Sequence, residues 1–226
     1  MINLNYLLLS LMTEREVSIG PSKISEFLNV EYNRRFPRKK RESAQLDDNH
    51  QSISLPDDYF YPRLQYKVVR GAPIIAAIAE GCDLLWEIYD KIDKLPDADW
   101  QVTEKRIIER DAVFGCSDEY VKYRFLTPWL SLPKDLFNKY LAADNGIKEQ
   151  MLCRALDGYL KSVSRSLGYE PEKEIKIKFN LKNNYIFQRE IHTAGLFGSF
   201  IANFEIPNFL GIGQSVSRGY GTVKRI

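Results

Sequence analysis

The first half of the chain alternates between strand-like and helix-like hydrophobic patterns. Helical spacing of apolar residues follows Ser22, which can cap a helix, and a second helical pattern opens at Glu80-Gly81. Strand patterns cover residues 2–12, 59–69, 74–78 and 97–114. The resulting β-α-β-β-α-β order predicts a ferredoxin-like unit, in which the helices cover one face of an antiparallel sheet.

The second half follows a similar order of elements without repeating the sequence. A helical pattern over residues 133–167 is divided by Asn145-Gly146, and Asn183-Asn184 predicts a hairpin turn. Strand patterns cover residues 120–132, 174–181, 185–190 and 196–206. This half therefore predicts a second, degenerate ferredoxin-like unit. We expect an α+β protein of two tandem ferredoxin-like (RRM-like) domains, residues 1–116 and 117–226, with a C-terminal glycine-rich loop.

That loop, residues 211–221, contains two Gly-x-Gly pairs separated by polar residues. Glycines permit positive φ angles and close backbone approach, and successive N–H groups can then form an anion site. The residues that predict contact with a phosphate backbone are Gly211, Gly213, Gln214, Ser215, Ser217, Arg218, Gly219, Tyr220 and Gly221. The alternative interpretation of this composition is a flexible surface loop.

A second candidate for phosphate binding is a run of positive charge that follows the first helical pattern. Residues 34–41 contain six cations in eight positions, and Pro37 is expected to end the helix. The cations after Pro37 are Arg38, Lys39, Lys40 and Arg41. They predict either a phosphate-contacting patch or a solvated helix end and loop.

Composition narrows the possible classes of protein. A hydrophobic content of 44% over 226 residues supports a substantial core, and a formal net charge of +2 means that any nucleic-acid site must be a local patch. Apolar runs are shorter than the roughly 18 residues that a membrane span needs, so we expect no membrane association. Residues 1–9 lack the features of a secretion signal and are better explained as part of a buried first strand.

Several kinds of site are absent from the sequence. Cys82, Cys116 and Cys153 are odd in number and far apart, which predicts a reducing cytoplasm, no disulfide framework and no zinc site. A Walker loop would need Gly-Lys followed by Ser or Thr, and a dinucleotide fingerprint would need a helix after its glycines. Neither fits residues 211–226, so we expect no cofactor and no metal.

Three stretches together resemble the CRISPR-associated repeat-RNA-processing endoribonucleases, the Cas-six family of the repeat-associated mysterious protein superfamily. The first is the glycine-rich loop together with Thr222 and Val223, which follow it. The second is Tyr61-Pro62-x-x-Gln65-Tyr66-Lys67 with the later Arg70-Gly71 and Glu80-Gly81, and the third is Tyr123-x-Phe125-x-Thr127-Pro128-Trp129. The resemblance implies two ferredoxin-like domains that bind CRISPR repeat RNA along their shared face.

The resemblance also implies metal-independent cleavage of one phosphodiester bond per repeat. In similar members a histidine precedes the Tyr-Pro-x-x-Gln-Tyr-Lys stretch, and His50 stands at that place here. We expect His50 to act as general acid or base, because a pKa near 6.5 suits proton transfer at neutral pH. His192 is the alternative catalytic residue. Of the two neighbours Tyr66 and Lys67, we expect Lys67 to contact RNA and Tyr66 to lie in the core.

Two other functions remain open at this point. A non-cleaving RNA-binding subunit of a CRISPR effector complex would share the ferredoxin-like units and the glycine-rich loop. An unrelated two-domain protein with a glycine-rich tail is the third possibility. The expected partners are CRISPR repeat RNA and, as a candidate, an effector complex, and the expected state is a monomer or a homodimer.

Overall fold

Seven strands and four helices make up the part of the chain that the computed structural model describes, residues 1–18, 22–36, 60–92, 100–190 and 193–226. Side chains are described in these ranges except at residues 134–135, 181–190 and 193–194. The strands are β1 Ile2–Thr13, β2 Leu64–Val69, β3 Ala72–Ile78, β4 Val102–Phe125, β5 Ile177–Glu190, β6 Thr193–Glu205 and β7 Val223–Arg225. The helices are α1 Lys23–Arg35, α2 Glu80–Ile92, α3 Lys134–Ala142 and α4 Asn145–Ser166.

The first half forms the ferredoxin-like unit that its pattern predicts. Its strands are antiparallel in the order β2-β3-β1-β4, and α1 and α2 pack against one face. The predicted cap of α1 is present, since the Ser22 side chain accepts a hydrogen bond from the Ile24 N–H at 3.2 Å. This bond satisfies one of the N–H groups that a helix start leaves without an internal partner.

The second half has the same strand order with one helix missing. Here β4 lies between β7 and β6, and β5 pairs with the far side of β6. Helices α3 and α4 stand in the place of the first ferredoxin-like helix. In the place of the second, between β6 and β7, the chain forms the glycine-rich loop with a single 3-10 turn, Val216–Arg218. The prediction of two ferredoxin-like units, the second degenerate, is therefore confirmed.

A single strand, β4, is shared by the two units. The sequence predicted separate strands over residues 97–114 and 120–132, with a domain boundary between residues 116 and 117. The structure instead continues one strand of 24 residues through this point. The register shifts between Cys116 and Val121, so the predicted boundary coincides with an irregularity inside a strand.

The two sets of helices pack into different cores. Because neighbouring side chains in a strand face opposite sides, Leu7 and Leu8 contribute to different clusters. Leu7 belongs with the residues of α1 and α2, whereas Leu8 belongs with Leu156 of α4 and Phe200 of β6. Helix α4 and the glycine-rich loop thus share a core with the face of the first-half sheet that α1 and α2 leave uncovered.

Of two breaks predicted in the second half, one is present and one is wrong. The helical stretch is divided as predicted, since α3 ends at Ala142 and α4 begins at Asn145 with Asp144 as its cap, and Asn145-Gly146 forms the first turn of α4. Strand β5 continues through Asn183-Asn184, where a hairpin turn was expected. The pairing register shifts between Asn180 and Tyr185. The two asparagines therefore lie at an irregularity within one long strand, although such residues are also typical of turns.

The described residues also bear on the expectations drawn from composition. The thiols of Cys82 and Cys116 are buried, that of Cys153 is partly buried, and all three are free. Within the described ranges, no helix combines the length and the apolar character needed to cross a membrane.

Arg63 ties the start of β2 to the end of α4. Its guanidinium is 5% exposed and bonds to Glu80 Oε1 at 2.9 Å and to the Tyr61 carbonyl at 2.9 Å. It also donates to the backbone carbonyl of Ser166, and its Nη1 donates to the Ser166 hydroxyl at 3.2 Å. A buried guanidinium is stable only when its donors are matched in this way.

We expect Arg63→Ala to lower the free energy of unfolding by about 3 kcal/mol, because it removes several charge-assisted hydrogen bonds from a buried position. Arg154 lies exposed on α4, so Arg154→Ala should change stability by less than about 0.5 kcal/mol. Urea denaturation of both variants measures the difference. Equal stability of the two variants would contradict a structural role for Arg63.

Candidate nucleic-acid interface

The glycine-rich loop, residues 211–221, has a buried floor and an exposed crest. Gly211, Gly213, Gly219 and Gly221 are all buried, whereas the crest residues Gln214, Ser215 and Arg218 are exposed and Ser217 is half-buried. The alternative of a flexible surface loop therefore does not describe this segment. Only the crest can present side chains to a ligand without a change in the loop.

Glycine is required in the floor because other atoms occupy the space of a side chain. A Cβ at Gly211 would stand 2.8 Å from Val216 Cβ and 2.9 Å from Lys67 Nζ. A Cβ at Gly213, where φ is +112°, would stand 2.7 Å from Trp129 Nε1. These distances are too short for real contacts, so the glycines let the loop pack tightly against β2 and against Trp129.

Most N–H groups of the floor are used inside the protein. The N–H groups of Gly211, Gly219 and Gly221 donate to Gln65 Oε1, to the Val216 carbonyl and to the Pro128 carbonyl. This differs from the expectation that successive glycine N–H groups face an anion. The floor is a packing element, and the predicted phosphate contacts can come only from the crest.

The crest is held from below by α4. The Gln214 N–H donates to the Leu130 carbonyl at 3.1 Å, and the Tyr159 hydroxyl of α4 donates to the neighbouring Ser131 carbonyl at 3.2 Å. Burial raises the pKa of Tyr159 to about 12, and the nearby Gln214 side chain opposes that rise. Tyr159 therefore stays neutral and serves as a fixed support for the turn that bears Ser215, Ser217 and Arg218.

The loop is clamped from the other side by the stretch that leads into β2. The Tyr61 hydroxyl donates to the Gly211 carbonyl at 2.6 Å, and Gln65 Oε1 accepts the Gly211 N–H at 2.9 Å. Gln65 Nε2 donates to the Pro62 carbonyl at 2.9 Å, which fixes the orientation of the amide. Two of the stretches that carry the family resemblance, Tyr61-Pro62-x-x-Gln65 and the glycine-rich loop, are therefore hydrogen-bonded to each other.

Lys67 lies next to this clamp and does not reach the surface. Its side chain is fully buried, and no hydrogen-bond partner of its Nζ exists among the described residues. Burial lowers the pKa of Lys67 to about 7, because a charged amine loses its hydration there. The expectation that Lys67 faces RNA is wrong for this arrangement, since the glycine-rich loop covers that face of β2.

The remaining predicted site residues fall into two groups. Tyr66 is buried with the residues of α1 and α2, as expected, and Tyr220 is half-buried beside the loop floor. The others lie outside the described residues, and they are His50, His192, Arg38, Lys39, Lys40 and Arg41.

Sequence reasoning did not assign a group of exposed cations on the second-half sheet. They alternate with core residues along β4, β5 and β7 and at the position just before β5, which is the signal that could have identified them as one face. We call this group the cationic sheet face, and its members are Lys122, Arg124, Lys176, Lys178 and Lys224. Among the described residues, no group of His, Cys, Asp and Glu could hold a metal ion.

Two models of one protein family match consecutive parts of the chain. The Cas6b N-terminal domain model matches residues 4–112, and the Cas6b C-terminal domain model matches residues 115–226. An uncharacterized protein of Methanocaldococcus jannaschii is 33% identical over 114 residues, which are 50% of this chain and 78% of that protein.

Solved structures extend the similarity to the whole chain. A crystal structure of Cas6b has 28% identity and a TM-score of 0.75, and covers 100% of both chains. A structure described as the CRISPR RNA processing endoribonuclease Cas6b has 28% identity, a TM-score of 0.74 and the same coverage. A type IV Cas6 crRNA endonuclease has a TM-score of 0.61 over 99% of both chains, but at 9% identity this likeness concerns the fold alone.

We expect Lys67→Met to stabilise the protein most at pH 7 and progressively less up to pH 9. Between the folded pKa near 7 and the unfolded value near 10.4, the unfolded state binds more protons, so wild-type stability rises with pH. The rise is at most about 1.4 kcal/mol per pH unit, and methionine removes it while filling a similar volume.

Urea denaturation at several pH values measures this difference, and Lys91→Met, at an exposed position of α2, is the control. A Lys67→Met effect that is independent of pH would show that the amine is not titrating near neutrality in the folded protein.

Proposed function

The chain belongs to the Cas6b family, in agreement with the predicted resemblance to the Cas-six endoribonucleases, and we propose that it is an endoribonuclease that cleaves CRISPR repeat RNA within the precursor transcript. The observation that carries this proposal is the match over the whole chain to a protein described as a CRISPR RNA processing endoribonuclease. The two family models support it, because together they match residues of both ferredoxin-like units.

We further propose cleavage by transesterification without a metal ion. The 2′-hydroxyl upstream of the scissile bond attacks phosphorus while a base removes its proton. An acid protonates the departing 5′-oxygen, and cations stabilise the charged phosphate oxygens. The products are a 2′,3′-cyclic phosphate and a 5′-hydroxyl. His50 is the proposed acid or base, and His192 is the alternative.

The described residues around the segment that contains His50 support this assignment. The chain leaves the first helix at Phe36 and returns at Phe60, and both rings pack against Tyr32 with centroid distances of 5.0 and 6.0 Å. The next residue, Tyr61, bonds to Gly211 in the floor of the glycine-rich loop. Both attachment points of residues 37–59 therefore lie at one aromatic cluster on α1, and the second of them continues directly into the stretch that clamps the loop.

We propose that RNA phosphates contact the crest of the loop through Ser215, Ser217 and Arg218, and that residues 38–41 add further cations. Arg218 and Ser215 are exposed, so they can reach a ligand as the loop stands. A reducing cytoplasm is the compartment that suits three free thiols. The protein, as a monomer or a homodimer, then delivers the cleaved RNA to a CRISPR effector complex.

End-labelled repeat RNA incubated with the purified full chain in EDTA tests the nuclease. We expect one discrete cut by the wild type, and no cut when a single 2′-deoxy nucleotide precedes the scissile bond. His50→Ala should lower the single-turnover rate by a factor of about 100 or more, because it removes a proton-transfer group.

His192→Ala tests the alternative catalytic residue, and it should cut at close to the wild-type rate if His50 carries the proton transfer. Filter binding of the His50→Ala variant should show unchanged affinity, which separates a catalytic role from a binding role. If His50→Ala cuts normally, the assignment of the catalytic residue is wrong. If the wild type binds the repeat and never cuts it, the protein is an RNA-binding scaffold.

A further inference from the structure

Among the described residues, the second-half sheet has helices on one face only. Tyr123, Phe125, Phe179 and Phe200 point towards α4 and form the core on that side. Because side chains alternate along a strand, the intervening residues of β4, β5 and β7 point to the opposite face. That face carries the five cations of the cationic sheet face, and all five are exposed.

The pairing register arranges these side chains in rows across the strands. Neighbouring strands are about 4.8 Å apart, so a row over four strands is about 14 Å wide. The rows, written from β7 or β4 towards β5, are Lys224–Arg124–Ser199–Asn180 and Lys122–Ile201–Lys178. Cations thus stand at both sides of a strip whose middle strand carries a small polar and an apolar residue.

The positive charge of this face is not neutralised by the described residues. None of its five cations forms an ion pair there, and of the three acidic residues at its border, Asp118, Glu174 and Glu205, two are paired with other cations. Glu205 is bound by Arg225 at 3.3 Å, and Asp118 is bound by Lys173. Glu174 is exposed beside Lys176, so the charge at that end of the face is partly balanced, and the excess lies on Lys122, Arg124, Lys178 and Lys224. Uncompensated cations at close spacing attract a polyanion.

An exposed aromatic residue lies at one end of the same face. Tyr120 is 61% exposed and lines a shallow cavity of about 370 Å³ together with Lys176 and Asn203. Asn203 is fixed in place, because its side chain accepts from the Lys176 N–H at 2.7 Å and donates to the Glu174 carbonyl at 3.0 Å. A flat sheet with cations and an accessible ring is suited to single-stranded RNA, whose bases can stack on aromatic side chains.

We propose that the cationic sheet face binds single-stranded RNA next to the cleaved repeat, with phosphates on Lys122, Arg124, Lys178 and Lys224 and a base stacked on Tyr120. This inference builds on the proposed function, since it assigns a second contact for the same substrate. Strand β7, which carries Lys224, follows directly on the glycine-rich loop, so RNA held at the crest can continue over this edge of the sheet.

The test compares two triple variants of the full chain that lose the same charge. Lys122→Gln, Arg124→Gln and Lys178→Gln together alter the cationic sheet face. Lys91→Gln, Lys139→Gln and Arg154→Gln together remove three exposed cations from the helices and form the control. Thermal melting verifies that both variants fold. The probe is a fluorescein-labelled single-stranded RNA containing the repeat and its flanking nucleotides, titrated at about 50 to 200 mM salt.

We expect the triple variant of the cationic sheet face to bind the probe at least about 10-fold more weakly than the wild type at 100 mM salt. The slope of log affinity against log salt concentration should be shallower by about 2, because each of the three lost phosphate contacts contributes about 0.7. The helix variant should change affinity by less than about 3-fold. Tyr120→Ala should weaken binding by about 5-fold or more without altering the salt slope, because stacking involves no counterion release.

Equal binding by the two triple variants would overturn the inference, and it would redirect attention to an acidic protein surface as the occupant of this face. Because the comparison concerns binding, it is independent of cleavage. A wild-type protein that binds the probe through this face yet never cuts it would overturn the proposed function and leave this inference standing.

Discussion

The position of the glycine-rich loop depends on two hydrogen bonds to a single residue. Gly211 donates its N–H to Gln65 and accepts at its carbonyl from Tyr61, so both of its backbone polar groups are satisfied by side chains of the first half. The second half therefore completes its loop only against the first-half sheet. The loop packs so closely on β2 that there is no room for a side chain at Gly211, and it encloses Lys67. Burial removes water from the Lys67 amine, which disfavours its charged form.

The same arrangement separates a buried part of the loop from an exposed part. The floor residues bond to β2 and to the segment around Pro128, while the crest is supported by Tyr159 and remains open. The cationic sheet face lies on the side of the second-half sheet away from α4. An RNA that used both surfaces would wrap around the edge formed by β7, and the fold would fix the path between them.

Much of the fold could be predicted from the sequence, because the spacing of apolar residues along a strand or a helix shows which face of that element is buried. That logic failed where a second layer covers the other face: Lys67 alternates away from one core but is enclosed by the loop. It also failed at Cys116 and at Asn183-Asn184, since an irregularity inside a strand has the composition of a turn. For the loop, glycine content is compatible with mobility and with tight packing, and only the neighbouring atoms distinguish the two.

The meeting of Phe36 and Phe60 on Tyr32 has a consequence for how this connection can change. A segment that departs and returns at one aromatic cluster leaves the pairing of the sheet strands independent of its own length. Doubling the length of such a closed connection costs only about 0.6 kcal/mol in chain entropy. A change in the number of residues between 37 and 59 therefore leaves the clamp on Gly211 intact, and a loss of activity that follows from it reports on His50 or on residues 38–41 rather than on the fold.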